Sequence, residues 1–521
     1  MIVLVGRCGL ERLADALRRA GEAVAVLPTT DPSAIAALSP ELVYADLFDR
    51  DWMRASWNAA LRGIVPPADG VILARAALPA LERFPLVLRG VRWPPLGSAG
   101  LEGLRPNTIA AWSEAAALVL GHRVVDVAGL WARHGILQDA VRFGVGHGEP
   151  ELGELGESRL GAGDAADVEA AAVLAWLAAR RGQIIKVIVV DLDDTLVHGE
   201  IAAGDFADRN PAWAAEASVD SDMAFWKAPR GLHDALRVCR MRGIALALCS
   251  RNDPALVHAR FRLRRDLRED LCDLDSFDVV EVGFGTKSGA CRRIAQRLGV
   301  ALGTLAFLDD NEVERAEVEA NAPGVRVLAG EVAGFRETLL TGAGFFPWAR
   351  SDAARVRSAS WKSGGAVAHA TGNGEAALTR FLHGLELIVE VRPAVDADAS
   401  RVEELLLRTS QLRLTGVAAI PPGARVYVAW VRDRLADHGL VGAGWFVGEG
   451  AGRRLGELAV SCRVLPHRVA ASILALMMAE EPGAVVDRVD TGKNAASAGL
   501  VEESMGGPAS WVRACVNRPP R

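Results

Sequence analysis

VIVVDLDDTLVHGE, Val187 to Glu200, decides the reading of the chain. The β-branched run VIVV reads as a strand buried on both faces, as in a parallel sheet covered by helices. Asp191, Asp193 and Asp194 follow it at once. Ligands of open α/β sheets sit outside the carboxyl ends of the strands. The run therefore aims Asp191 at a ligand, and Asp193 reaches the same place from the turn. Three further points along the chain behave alike. IALALCS ends in Cys249-Ser250, and Asp253-Pro254 behind it makes a helix start, a capping acceptor with proline at the first helical position. Ser250 then lies beside the positive end of a helix, where a phosphate oxygen is welcome. FGTKSGACRRIAQRLG opens a helix at Lys287, and LAFLDDN delivers Asp309 and Asp310 just before another.

A hard cation such as Mg²⁺ takes carboxylate and carbonyl oxygens, while a phosphoryl group takes lysine, hydroxyl and backbone N–H. An aspartate nucleophile paired with an aspartate acid/base is aspartyl-phosphate chemistry. A metal among the carboxylates offsets their repulsion. A lone Asp after a strand is more often a turn or cap residue. The ordered set DxDxT, Ser, Lys and Asp-Asp is what argues for a site.

The rest of the chain fits an α/β enzyme. With 521 residues, two to four domains are expected. Half the residues are hydrophobic, and a formal charge of −6 with no basic tract argues against nucleic acid as the main partner. No run of eighteen apolar residues occurs, so no membrane span is expected. Arg7 and Glu11 interrupt the amino terminus too early for a signal peptide. Seven cysteines without a C-x-x-C pair suggest neither disulfides nor zinc, so the chain reads as reduced and cytoplasmic.

Three blocks emerge. Residues 1–175 alternate strand and helix patterns. Residues 183–345 carry the motifs. Residues 346–379 have little periodicity and read as a linker, and 380–521 read as α+β with an antiparallel meander.

DLDDT (191–195), Ser250, Lys287 and LDDN (308–311) resemble the four motifs of the haloacid-dehalogenase superfamily. More narrowly, ALCSRNDPALV, VGFGTKSGACRRIAQRLG and FLDDNEVERAEV look like the FkbH-like branch, the glyceryl transferase/phosphatases. LLRTSQLRLTG, DRLADHGLVG, LAVSCRVL and TGKN are similar to that branch's acetyltransferase-like (GNAT) half. The resemblance spans about 183–500. It implies a Rossmann-like catalytic domain and a GNAT-like α+β domain. The first block resembles the degenerate SGNH-hydrolase-like domain that precedes them. It implies loading of a glyceryl group from 1,3-bisphosphoglycerate onto the phosphopantetheine of an acyl carrier protein, with loss of both phosphates.

The roles it implies are these. Asp191 is nucleophile and metal ligand, and Asp193 is acid/base and metal ligand. Asp309 and Asp310 complete the Mg²⁺ site. Thr195, Ser250 and Lys287 hold phosphate. Cys249 accepts the acyl group, its thiol acidified by helix, lysine and metal. The plain alternative for Cys249 is a buried strand cysteine. Arg463, Thr491, Lys493 and Asn494 are candidates for docking the carrier.

The chain also departs from the family. Asp194, Val197 and His198 stand where the family has Asn, Trp and Gly, and 201–222 lacks the usual glycine-rich motif while carrying acids of its own. The pyrophosphate loop R-x-x-G-x-G/A becomes Arg463-Val-Leu-Pro-His-Arg468, without glycines and with a proline lacking an N–H, which argues against acetyl-CoA. A carrier arm with a single phosphate demands less. The first block has no G-D-S nucleophile motif; His134, Asp139 and His147 read as loop residues. The rival functions are a simple phosphomonoesterase and a carrier-docking platform whose site has drifted.

Overall fold

The computed structural model describes residues 1–6, 10–47, 78–90, 123–125, 127, 130, 165–201, 228–262, 271–348, 357, 360–361, 363–364, 367, 374–486, 488–492 and 494–516. The chain divides into two compact units, Met1–Arg181 and Gly182–Arg521.

The first unit holds five parallel strands, β1 (Ile2–Val5), β2 (Val24–Leu27), β3 (Leu42–Ala45), β4 (Leu86–Arg89) and β5 (Val124–Val125). Their order is β2-β1-β3-β4-β5. β1, β3 and β4 are buried throughout, and β4 ends on the buried Arg89. The helices Glu11–Arg19 and Ala165–Arg180 accompany the sheet.

The second unit contains two sheets. The first has β6 (Val187–Val190), β7 (Ala245–Ser250), β8 (Val279–Val282), β9 (Leu305–Leu308) and β10 (Arg326–Val327), ordered β10-β9-β6-β7-β8 with every pairing parallel. All four β6 side chains are fully buried, each contributing about 1.5–3 kcal/mol. The chain runs from β6 outward to β7 and β8, then crosses back to β9 and β10 on the other side. The crevice of this reversal lies between the ends of β6 and β9.

The other sheet is ordered β15-β14-β13-β12-β11-β16. It comprises β11 (Leu387–Pro393), β12 (Arg425–Arg432), β13 (Asp437–Val447), β14 (Arg454–Val460), β15 (Val485–Val486) and β16 (Val512–Val516). Its four central strands run antiparallel. The helix Ala470–Glu480 packs its Ile473, Leu474 and Met477 into the core with β11, β12 and β14.

The segment 346–379 is not a loose connector where it is described. Arg357, Ser360, Trp361, Ser363, Gly364 and Val367 are helical and buried. Their spacing is that of one helix face. An arginine and two serines occupy that face, so the hydropathy pattern hides it.

Candidate active site

Parallel register sets the centre. Val190 pairs with Leu308, and the Asp191 N–H donates to the Leu308 carbonyl at 2.9 Å. Asp191 and Asp309 are therefore the next residues on neighbouring strands, side by side at the crevice. The Thr286 hydroxyl caps the helix Lys287–Leu298 by accepting from the Gly289 N–H. Its first residue swings a buried ammonium between the two carboxylates. Lys287 Nζ pairs with Asp191, lies 3.2 Å from Asp309 Oδ2, and donates to the Cys249 carbonyl at 2.9 Å.

Charge is out of balance here. Asp309 Oδ2 makes no hydrogen bond, and Asp310 lies exposed beside it. Oxygens of Asp191, Asp309 and Asp310 all fall within 4.8 Å of one another. Two like charges about 4 Å apart repel by about 4 kcal/mol at an effective dielectric of ~20. One lysine cannot offset three carboxylates. Burial pushes the Asp191 carboxyl up to about 7, with Asp309 adding to the rise and Lys287 opposing it. Burial likewise raises Asp309 against the pull of Lys287. The same carboxylates hold the Lys287 ammonium protonated, above its ordinary range, although burial works the other way. A donor set made only of carboxylate oxygens, left short of positive charge, fits Mg²⁺. Such an ion would hold the ionised forms and screen an incoming phosphate.

Asp193 stands apart from that set. Its Oδ1 accepts from the Ile201 N–H at 2.8 Å and its Oδ2 from Asn252 Nδ2 at 2.6 Å. Held this way, the carboxylate is not one of the metal-ligand group, against the expectation that it ligates. Position and tethering suit acid/base work. Asp194 makes the turn, with φ of 51° and its side chain on the Gly199 N–H.

Asn252 escaped the sequence reading. Its one amide nitrogen donates both to Asp193 Oδ2 and to Ser250 Oγ, at 2.6 and 2.9 Å, joining the two side chains. It lies just after the strand in S-R-N-D-P, and only the offset from Ser250 could have flagged it. Asp253 caps the helix Pro254–Arg262, accepting from the N–H groups of Ala255 and Leu256, so Ser250 sits near a helix start as expected. Arg315 was also missed. It donates to the carbonyls of Asp309 and Asp310, both at 2.7 Å, and fixes that loop. Thr195 is buried and bonded to Asp310 through both its side chain (3.0 Å) and the Asp310 N–H (2.9 Å). It ties the first motif to the last, leaving the hydroxyl occupied.

Cys249 does not suit an acyl acceptor. Its thiol is buried among Val187, Ala247, Ala290 and Cys291, and burial pushes it well up despite Lys287. The expected acidification fails because burial outweighs the pull of Lys287. His198 is exposed in the turn.

Of the docking candidates, two are buried. Arg463 is buried, with Nε on Ser461 Oγ at 3.2 Å. Asn494 is buried and holds its own turn, donating to the Arg413 and Val489 carbonyls and accepting from the Thr491 N–H. A polar TGKN string looks accessible in sequence, but its asparagine is consumed by backbone. Thr491 is exposed. Lys493, the stretch 202–227, His134, Asp139 and His147 lie outside the described residues. Arg468 adopts φ 51°, a left-handed conformation that glycine takes more readily.

No family model and no curated protein matches the chain. Among solved structures, one similar chain is the N-terminal part of the protein BF1531 from Bacteroides fragilis, containing a phosphatase domain and complexed with Mg. It is 16% identical, with a TM-score of 0.45, and the match covers 67% of this chain and 94% of that one. A likeness of that depth leaves the chemistry to be read from the side chains.

Proposed function

We propose that the chain is a Mg²⁺-dependent phosphatase working through an aspartyl phosphate. The single observation behind it is the pair Asp191–Asp309 at the crevice of a doubly wound sheet, sharing one buried lysine and short of positive charge. Asp191 attacks phosphorus. Asp193, tethered by Asn252, gives its proton to the leaving oxygen and then takes one from the water that cleaves the phosphoaspartate. Lys287 and Ser250 hold the phosphoryl oxygens. Bound Mg²⁺ supplies charge neutralisation between carboxylates and phosphate.

The finer reading rests on the motifs in their order along two domains. In it, the substrate is a phosphorylated three-carbon acyl donor such as 1,3-bisphosphoglycerate. The acceptor is the phosphopantetheine thiol of an acyl carrier protein, the first unit is SGNH-like, and the final sheet GNAT-like. The compartment is the cytoplasm. Among the described residues no helix is long and apolar enough to cross a membrane.

Intact-protein mass spectrometry tests both levels. Protein, Mg²⁺, 1,3-bisphosphoglycerate made in situ and a holo carrier protein are mixed, with Asp191→Asn as control. A glyceryl mass shift on the carrier, absent with the variant, supports the loading reaction. Hydrolysis of a generic phosphate ester without any shift leaves the phosphatase and removes the loading. Neither signal removes both.

A further inference from the structure

A second polar cluster lies away from the catalytic carboxylates, in the hairpin between β12 and β13. Asp433 divides its oxygens. Oδ1 accepts from the Leu435 and Ala436 N–H groups at 2.6 and 2.7 Å and fixes the turn. Oδ2 turns inward, 2.9 Å from His438 Nε2, 3.3 Å from His467 Nε2 and 2.9 Å from Ser363 Oγ. Ser363 Oγ is also 3.1 Å from His467 Nε2. Both imidazoles and the carboxylate are fully buried. Gly364 lies beside the His467 ring, where a Cβ would reach His467 Cε1 at 4.0 Å.

Two ordinary readings fail. A Ser-His-Asp relay needs the acid on one ring nitrogen and the hydroxyl on the other. Here the same Nε2 of His467 faces both, and its Nδ1 has no partner. A simple ion pair fails as well. Among the described residues no Lys or Arg pairs with Asp433, and the same carboxylate oxygen faces two imidazoles rather than a single cation. Asp433 Oδ2, His438 Nε2 and His467 Nε2 instead converge within 4.8 Å of one another, a donor set that a cation can share.

We propose that Asp433, His438 and His467 bind a zinc-class divalent ion, with the Ser363 hydroxyl at the fourth corner. A tetrahedral site with metal–ligand bonds of about 2.0–2.1 Å has edges of about 3.3 Å. Four of the six edges, 2.9 to 3.3 Å, lie close to that length, and the donors of Asp433, His438 and His467 all fall within 4.8 Å of one another. Two of the ligands have outer-shell partners. His438 Nδ1 meets Ser360 Oγ at 2.6 Å, the partner that fixes which nitrogen faces the ion, and Asp433 Oδ1 is locked by backbone. Imidazole and carboxylate donors separate this site from the all-oxygen catalytic one. The ion joins the helical residue Ser363, the hairpin and the turn before helix Ala470–Glu480.

The test uses the untagged full chain, stripped with chelator and titrated with Zn²⁺, then Co²⁺, with metal content read by plasma mass spectrometry. One equivalent of zinc is expected, with a rise in Tm and a tetrahedral cobalt spectrum. Asp433→Asn and His467→Gln lose the equivalent, whereas Asp309→Asn keeps it. Ser360→Ala leaves the ligands intact and weakens affinity about 10–100-fold. Failure of the wild-type chain to take up zinc, or an Asp433→Asn chain that still holds it, overturns the site. Should the ligand variants fail to fold, the wild-type stoichiometry, the cobalt spectrum and Ser360→Ala decide.

Discussion

The two parallel sheets place charge at the same kind of spot and use it in opposite ways. At the ends of β3 and β4, Arg89 donates to both oxygens of Glu169, at 2.8 and 2.7 Å, and lies 3.3 Å from Asp46. The Tyr44 hydroxyl adds a bond to Glu169 at 2.7 Å. Arg89 and Glu169 are both about 1% exposed, and every Glu169 oxygen has a donor. At the ends of β6 and β9, Lys287 faces more carboxylate than it can satisfy, and Asp309 Oδ2 has no hydrogen bond. Buried charge by itself therefore says little. A cluster that closes on itself holds a fold, and one left short of positive charge holds a place for something else.

The largest expected effects separate the two clusters directly. Asp191→Asn removes the nucleophile and should lower phosphatase turnover by ~10³-fold or more while the fold persists. Arg89→Met strands a buried carboxylate and should cost about 3–5 kcal/mol of stability without changing turnover per folded molecule. Denaturant titration alongside hydrolysis of a generic phosphate ester reads both. If Asp191→Asn turned over normally, the site would be closed like the other one.

Asn252→Ala comes next. It releases Asp193 and Ser250 together and should lower kcat about tenfold to a hundredfold through lost positioning. Its pH–rate profile should shift as well, because the acid/base loses its partner. A purely structural Asn252 would change stability and leave that profile alone.

A smaller effect tests the charge imbalance itself. In metal-free protein the Asp191 carboxyl is raised from 3.8 to about 7. Between those values the unfolded chain ionises first, so the folded state holds more protons and loses stability as pH rises. Relative to Asp191→Asn in chelator, stability should fall from pH 4 to 7 and then level off, by at most about 4 kcal/mol. Mg²⁺ should flatten that slope by favouring the ionised form. A flat difference without metal would mean the carboxylates are already balanced, as around Glu169.

What was legible follows from what burial does to pattern. β6, β7 and β9 announced themselves because both faces are apolar, and the polar residues at their ends fell at fixed offsets. Hidden were features whose partners come from far along the chain. The Asn252 bridge needs Asp193, 59 residues away, and the helical segment around Ser360 buries polar side chains that break the apolar period. Asp433, His438 and His467 carry no spacing that separates ligands from loop residues. Asn494 misled in the other direction, since a polar turn residue reads as surface until its amide is seen satisfying buried carbonyls.

The smallest effect is the most discriminating for mechanism. Cys249 lies one residue before Ser250 and beneath Lys287, so sequence position alone invites a covalent role. Its thiol sits in the apolar layer with Ala290 and Cys291, and burial keeps it protonated. A thiol of that kind is a poor nucleophile. Cys249→Ala should therefore leave turnover within about twofold and cost about 1 kcal/mol through the small cavity it opens. Loading of a carrier, if it occurs, should survive equally, with the acyl group passing to the phosphopantetheine thiol itself. An acyl mass on the protein that vanishes in Cys249→Ala would break this reading. It would require the helix Lys287–Leu298 to move far enough to bare the sulfur.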